Sequence, residues 1–124
     1  MARVFSGIQP SGELHLGNLL GALVIWVDHQ KSHDAVYCIV DLHALTLPKN
    51  PEELRKNSLE LAQLLIAVGI NPDESILFMQ SHVPEHSQLA WLMECTVSFG
   101  ELNRMTAFKD KSGRNGFISG GLFT

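Results

Sequence analysis

Along this chain, short continuous apolar runs alternate with longer stretches in which apolar residues return every three or four positions. Val4 and Phe5 read as a short strand stopped by Gly7, and Ile8 to Gly12 follow with Pro10, Ser11 and Gly12 as turn formers. A helix is predicted next, because Leu16, Leu19, Leu20, Leu23 and Val27 keep close to a helical period. Gly17 and Gly21 offer that helix a smooth face for close packing, and it should end near His29 to His33.

Val36 to Val40 is a continuous apolar run, too short for a helix and rich in strand formers, which predicts a buried parallel strand. Asn50 before Pro51, with Glu53 three residues on, is a helix start: a capping side chain, proline at the first helical position, and an acid at the positive dipole end. Leu54, Leu61, Leu65 and Val68 repeat on one face, and Gly69 is the natural left-handed stop. Asn71-Pro72-Asp73 then turns the chain into a strand at Ile76 to Gln80. Pro84 opens a last helix whose Leu89, Leu92, Met93 and Val97 line one face before Gly100.

Strand, helix, strand, helix, strand, helix is the order of an α/β protein with a parallel sheet covered on both faces. The chain of 124 residues, 45% hydrophobic and 18% charged, suits one globular domain and excludes a disordered or collagenous chain. No apolar run nears the roughly 18 residues that cross a bilayer, and Val4 and Phe5 are too short a run for a signal peptide, so neither a membrane nor secretion is expected. Cys38 and Cys95 stand far apart without further partners, which suits a reducing cytoplasm better than a disulfide framework or a cysteine zinc site. A net charge of -4 argues against a broad nucleic-acid surface, although Arg104, Lys109, Lys111 and Arg114 cluster with only Asp110 among them. That cluster reads as a solvated loop, and the glycine-rich stretch Ser112 to Gly121 as a mobile connection.

In a parallel sheet the ligand crevice lies beyond the carboxyl ends of the strands. That singles out Gly7 to Asn18, Asp41 to His43, and Gln80 to His82. The first of these puts small and hydrogen-bonding residues where a strand hands over to a helix, whose free N–H groups and dipole favour an anion such as a nucleotide phosphate. Spacing alone leaves an ordinary capped turn equally open, since neither the phosphate loop nor the dinucleotide fingerprint is present.

Phe5-Ser6-Gly7-Ile8-Gln9-Pro10-Ser11-Gly12, His15-Leu16-Gly17-Asn18, Gly21-Ala22-Leu23, Cys38-Ile39-Val40-Asp41-Leu42-His43-Ala44, Gln80 to His86 and Gly100 to Thr106 together resemble the bacterial tryptophanyl-tRNA synthetase family of class I aminoacyl-tRNA synthetases. The resemblance runs in register through the whole chain and implies a Rossmann-type parallel sheet with flanking helices, its first three strand-helix units only. It implies a catalytic domain, here its N-terminal portion without a second domain, that activates L-tryptophan with ATP and transfers it to tRNA(Trp). A homodimer in the cytoplasm is implied with it, and Mg²⁺ carried by ATP instead of by a protein metal site.

By the same resemblance, His15-Leu16-Gly17-Asn18 takes the place of the class signature, with His15 and Asn18 as catalytic residues. Gln9, Pro10, Ser11, His15, Gly17 and Asn18 would bind ATP, and Phe5, Gly7, Cys38, Val40 and His43 the amino acid. His15 can donate to a phosphate oxygen, and Gly17 lets the nucleotide approach the helix backbone. The implied reaction is attack of the substrate carboxylate on the ATP α-phosphate, which needs no protein nucleophile or general base and rests on alignment and charge stabilisation. A Lys-Met-Ser-Lys-Ser loop is absent, and Lys109-Asp110-Lys111-Ser112 lies too early to supply it. The acidic group that recognises the indole N–H in this family would lie after Thr124. A reading from another class is a non-catalytic nucleotide-binding or interaction module derived from such an enzyme. Tyrosyl-tRNA synthetase is the nearest alternative within the class, disfavoured by the Gly7 to Gly12 run and Asn18.

Two further constellations compete. His82-Val83-Pro84-Glu85-His86 matches a zinc-peptidase pattern formally, but Pro84 at the first helical position leaves His82 in the preceding loop. Asp41 and His43 pose as an acid/base pair, against the simpler reading of a polar cap or pocket wall at a strand end.

Overall fold

The computed structural model describes residues 2–12, 19–104 and 121. The expected site residues His15, Gly17 and Asn18, the Lys109 to Arg114 cluster and most of the glycine-rich stretch lie outside them.

Three strands, β1 (Arg3–Ile8), β2 (Asp34–Ile39) and β3 (Ile76–Met79), form one parallel sheet in the order β1-β2-β3. The register pairs Phe5 with Val36, Gly7 with Cys38 and Ile8 with Ile39, then Cys38 with Phe78 and Ile39 with Met79. A π-helical turn, Leu19–Leu23, runs into α1 (Val24–His29) between the first two strands. Beyond β2 come a single turn, α2 (Asp41–Ala44), and the long α3 (Pro51–Ala67). Asn50 caps α3 as its sequence demands: its side chain accepts from the N–H groups of Glu52 and Glu53 at 2.9 and 3.3 Å. Gly69 ends it at φ +114°, a conformation that favours glycine.

Strand alternation sends the odd residues of β2 into one core. Ala35, Tyr37 and Ile39 are buried with Leu23, Trp26, Leu61, Leu65 and Ile70. The Trp26 and Tyr37 rings stack at 4.5 Å, and the Tyr37 hydroxyl donates to the Trp26 carbonyl at 2.7 Å, so the phenol is buried without an orphaned donor. Ser58 sits at the core edge because its hydroxyl donates back to the Leu54 carbonyl at 2.8 Å. Buried Gln30 ties the far end together, donating to the Gly69 carbonyl and accepting from the Asn71 N–H and the Ser75 hydroxyl.

Two expectations are corrected. Among the described residues, those of α1 and α3 join one core with one sheet face, so these two helices share a single face. The physical reason is topological: right-handed crossovers that advance in the same direction across a sheet land on the same side. On the opposite face, Phe5 and Ile76 are exposed. Gly21 is not a close-packing surface either, for a Cβ there would meet nothing described within 4 Å.

By its contacts the chain divides into two compact units, Met1–Ala44 with Lys49–His82, and Leu45–Pro48 with Val83–Thr124. The second holds α4 (Pro84–Glu94) and α5 (Phe99–Leu102) where one helix to Gly100 was predicted. The break falls at Thr96 and Val97, β-branched residues, followed by Ser98, whose side chain accepts from the Glu101 N–H while Glu101 reaches back to the Ser98 N–H at 3.0 Å. This capping box starts a new helix instead of continuing the old one. Leu89, Leu92 and Met93, the predicted packing face, are all exposed.

Candidate functional site at the carboxyl edge of the sheet

Parallel strands deliver all their carboxyl ends to one edge, and the residues singled out from the sequence gather there. Gly7 lies opposite Cys38 in the register, and the Val40 N–H donates to the Ile8 carbonyl at 3.0 Å, prolonging the pairing past β2. A Cβ on Gly7 would stand 2.9 Å from Val40 Cγ1 and 3.9 Å from Cys38 Cβ. Gly7, Cys38 and Val40 therefore form one wall, and the glycine is required by the valine that leans across it. Phe5 shares this face by strand alternation and is 60% exposed.

Cys38 is fully buried, and burial, with the Asp41 charge second, pushes its thiol up to about 11. It is thus a neutral, small, apolar group packed behind Gly7 and Val40 at physiological pH, and not a nucleophile. Beyond Ile8 the chain turns: the Ser11 N–H donates to the Gln9 carbonyl at 2.9 Å, Pro10 is buried, and Gly12 takes φ +117°. Pro10 anchors this turn, leaving Ser11 exposed and Gln9 half-buried at the mouth.

At the neighbouring exits, the Asp41 carboxylate and the His43 backbone are each bonded to the β3 side. The Asp41 carboxylate accepts from the Ser81 N–H at 3.0 Å, which makes it a polar cap, while the His43 N–H donates to the Gln80 side-chain oxygen at 3.3 Å. The sequence placed Gln80 and Ser81 at the right edge but gave no sign of these bonds, which join residues 40 and 37 positions apart. The zinc-peptidase spacing dissolves as its proline predicts: His82 ends a 3-10 turn (Gln80–His82), and α4 begins only after extended Val83. Among the described residues no group of three His, Cys, Asp or Glu side chains could hold a metal.

Elsewhere, an open groove of about 510 Å³ lies along α3 between Gly12 and Leu64. Glu53 and Glu60 outnumber Lys56 there, and Lys56 is already 3.7 Å from Glu60.

A three-stranded parallel sheet with flanking helices, and with a small-residue wall and a proline-anchored turn at its carboxyl edge, is the fold of class I aminoacyl-tRNA synthetase domains. The family model for class I tRNA synthetases of the W and Y branch matches residues 1–124, and the chain belongs to that family. Within it, the chain is 55% identical to the tryptophan–tRNA ligase of Caldanaerobacter subterraneus subsp. tengcongensis over 124 residues, all of this chain and 38% of that protein. It is 56% identical to the Helicobacter pylori tryptophan–tRNA ligase over 113 residues, 91% of this chain and 35% of that one. The Campylobacter jejuni tryptophanyl-tRNA synthetase solved with ADP and tryptophan superposes with a TM-score of 0.92 at 38% identity, over 98% of this chain and 38% of that structure. An Archaeoglobus fulgidus tyrosyl-tRNA synthetase shares the fold alone, at 20% identity and a TM-score of 0.79. The chain thus spans 38% of the length of the first of these relatives. Among the described residues, no helix is long and apolar enough to cross a membrane.

Proposed function

We propose that this chain forms the tryptophan- and ATP-facing wall of a tryptophanyl-tRNA synthetase, and that both of its compact units are parts of one catalytic domain. The juxtaposition of Gly7, Cys38 and Val40 at the carboxyl edge carries this reading. Together with Phe5 and His43 they supply an apolar wall with a polar rim, the chemistry an indole needs. The turn Gln9-Pro10-Ser11, with His15, Gly17 and Asn18 beyond it, binds ATP. His15 donates to phosphate oxygens and Asn18 supports it, so that the substrate carboxylate meets the α-phosphorus in line and pyrophosphate leaves.

Mg²⁺ arrives with the ATP phosphates and supplies charge neutralisation when bound. The adenylate is then passed to tRNA(Trp) by the whole enzyme, a cytoplasmic homodimer. A non-catalytic module is the weaker reading, because relatives at 55% and 56% identity are tryptophan–tRNA ligases.

Tryptophan-dependent ATP–pyrophosphate exchange tests the proposal in the full-length protein that carries this segment. Exchange with tryptophan and not with tyrosine is expected, and His15→Ala should lower it by about 2.7 to 4 kcal/mol of transition-state stabilisation with the melting temperature unchanged. The 124-residue chain alone should exchange poorly, since it spans 38% of the length of a tryptophan–tRNA ligase relative. Unchanged exchange in His15→Ala removes that residue from the mechanism, and absence of tryptophan-dependent exchange in the full-length protein refutes the function.

A further inference from the structure

The pairing of β2 with β3 ends at Ile39 and Met79, yet both chains continue side by side. Beyond that rung, backbone N–H groups have no ladder partner and need one. Two of them find it in a reciprocal arrangement. The Ser81 N–H, on the β3 side, donates to the Asp41 carboxylate on the β2 side, and the His43 N–H, on the β2 side, donates to the Gln80 side-chain oxygen on the β3 side. Each exit lends the other an acceptor, so two side chains extend the sheet after its backbone rungs have stopped.

What this holds is α2, a single turn of four residues, Asp41–Ala44. One turn does not persist on its own, because nucleation fixes several residues for a single bond. Its internal support is slight: the Ala44 N–H donates to the Val40 carbonyl at 3.2 Å, and Ala44 is buried. Of the remaining side chains of the turn, Asp41 is buried and Leu42 half-buried. The bond at the His43 N–H itself, and the bond made by the carboxylate that opens the turn, tie it to the β3 exit.

We propose that Asp41 and Gln80 are positioning residues for amino-acid recognition: their reciprocal clasp holds the His43 turn against the β3 exit and thereby fixes the rim of the tryptophan pocket. This rests on the function proposed above, in which His43 belongs to that rim. Neither residue touches substrate. The clasp is specific to the amino-acid side, because the ATP side is built from the turn after β1, to which neither bond reaches. Loss of the clasp should therefore raise KM for tryptophan and leave KM for ATP in place. Hydrogen-bond acceptance, not negative charge, is the working property at Asp41, since what it holds is a neutral backbone N–H.

The experiment is tryptophan-dependent ATP–pyrophosphate exchange in the full-length protein carrying wild-type, Gln80→Leu, Asp41→Leu or Asp41→Asn sequence, with both KM values and the melting temperature measured. Gln80→Leu and Asp41→Leu should each raise KM for tryptophan about tenfold with KM for ATP within twofold of wild type. Asp41→Asn, which keeps an oxygen acceptor, should return most of that loss. A lowered melting temperature with both KM values unchanged shows a fold staple only and overturns the proposal. So does a Leu-like result for Asp41→Asn, which would assign the effect to charge. No tryptophan-dependent exchange in the wild-type protein overturns the underlying function, and the proposal with it, whereas exchange with an unmoved KM overturns the clasp alone.

Discussion

The two compact units of this chain use the same residue types to opposite effect. In the sheet unit, Leu61 and Leu65 of α3 repeat at helical spacing and are buried with Tyr37, Trp26 and Ile39. In the helical unit, Leu89, Leu92 and Met93 of α4 repeat just as regularly and are 57 to 61% exposed, and no residue of α4 or α5 is buried. A periodic apolar face thus predicts a helix well and says nothing of what covers it. The sheet unit carries its own cover because two crossovers bring helices back onto strands that need them.

The contrast is sharpest in the response to truncation. Leu65→Ala, at a fully buried position, should destabilise the chain by about 2 to 5 kcal/mol, whereas Leu92→Ala should stay within about 0.5 kcal/mol. Urea unfolding curves compare the two, and equal losses would show that α4 packs as α3 does.

Thiol reactivity separates the units next. Cys38 is buried with its thiol pushed to about 11, while Cys95 is exposed. At pH 8 a native chain should take up a thiol-specific reagent at Cys95 at least about tenfold faster than at Cys38, and urea should abolish the difference.

Glycine substitutions come third. Gly69→Ala forces a side chain into φ +114° and within 3.3 Å of Val27, and should cost about 1 kcal/mol or more. Gly100→Ala in α5 meets nothing within 4 Å and should be neutral or stabilising by up to about 1 kcal/mol. Thermal melts read both signs.

The smallest effect is local. Hydrogen bonds from the Ser98 side chain and backbone hold the Glu101 carboxyl below its ordinary value. A lowered folded pKa gives stability that is complete above the unfolded value and is lost as pH falls through the folded one. Amide signals of α5 should therefore show fraying as pH drops below the usual glutamate range, and Ser98→Ala, which keeps only the backbone bond, should weaken that dependence.

Much of this architecture was legible in the chain. The Val36 to Val40 run, the Asn50-Pro51 cap, Gly69 and Asn71-Pro72-Asp73 all act locally, and each marks the element that forms. The wall of Gly7, Cys38 and Val40 was named through resemblance, and strand alternation with the parallel register explains why the three meet. Three features were hidden for physical reasons. That α1 and α3 share one sheet face depends on strand order, which no local signal encodes. The break between α4 and α5 was written in Ser98 and Glu101, but the apolar period running through Val97 masked it. The Asp41 and Gln80 bonds join residues some forty positions apart, and neither side chain differs in type from an ordinary strand-end cap.

The central claim is that the carboxyl edge of the sheet unit is the wall against which tryptophan is bound, and Gly7→Ala tests it with a single methyl group. That methyl would stand 2.9 Å from Val40 Cγ1, so Val40 must shift. In full-length protein, tryptophan-dependent ATP–pyrophosphate exchange should then show KM for tryptophan raised about tenfold or more, with KM for ATP little changed. An unchanged KM for tryptophan in a Gly7→Ala protein with a lowered melting temperature would contradict the account, because the glycine would then serve the packing of β1 against β2 and not the substrate.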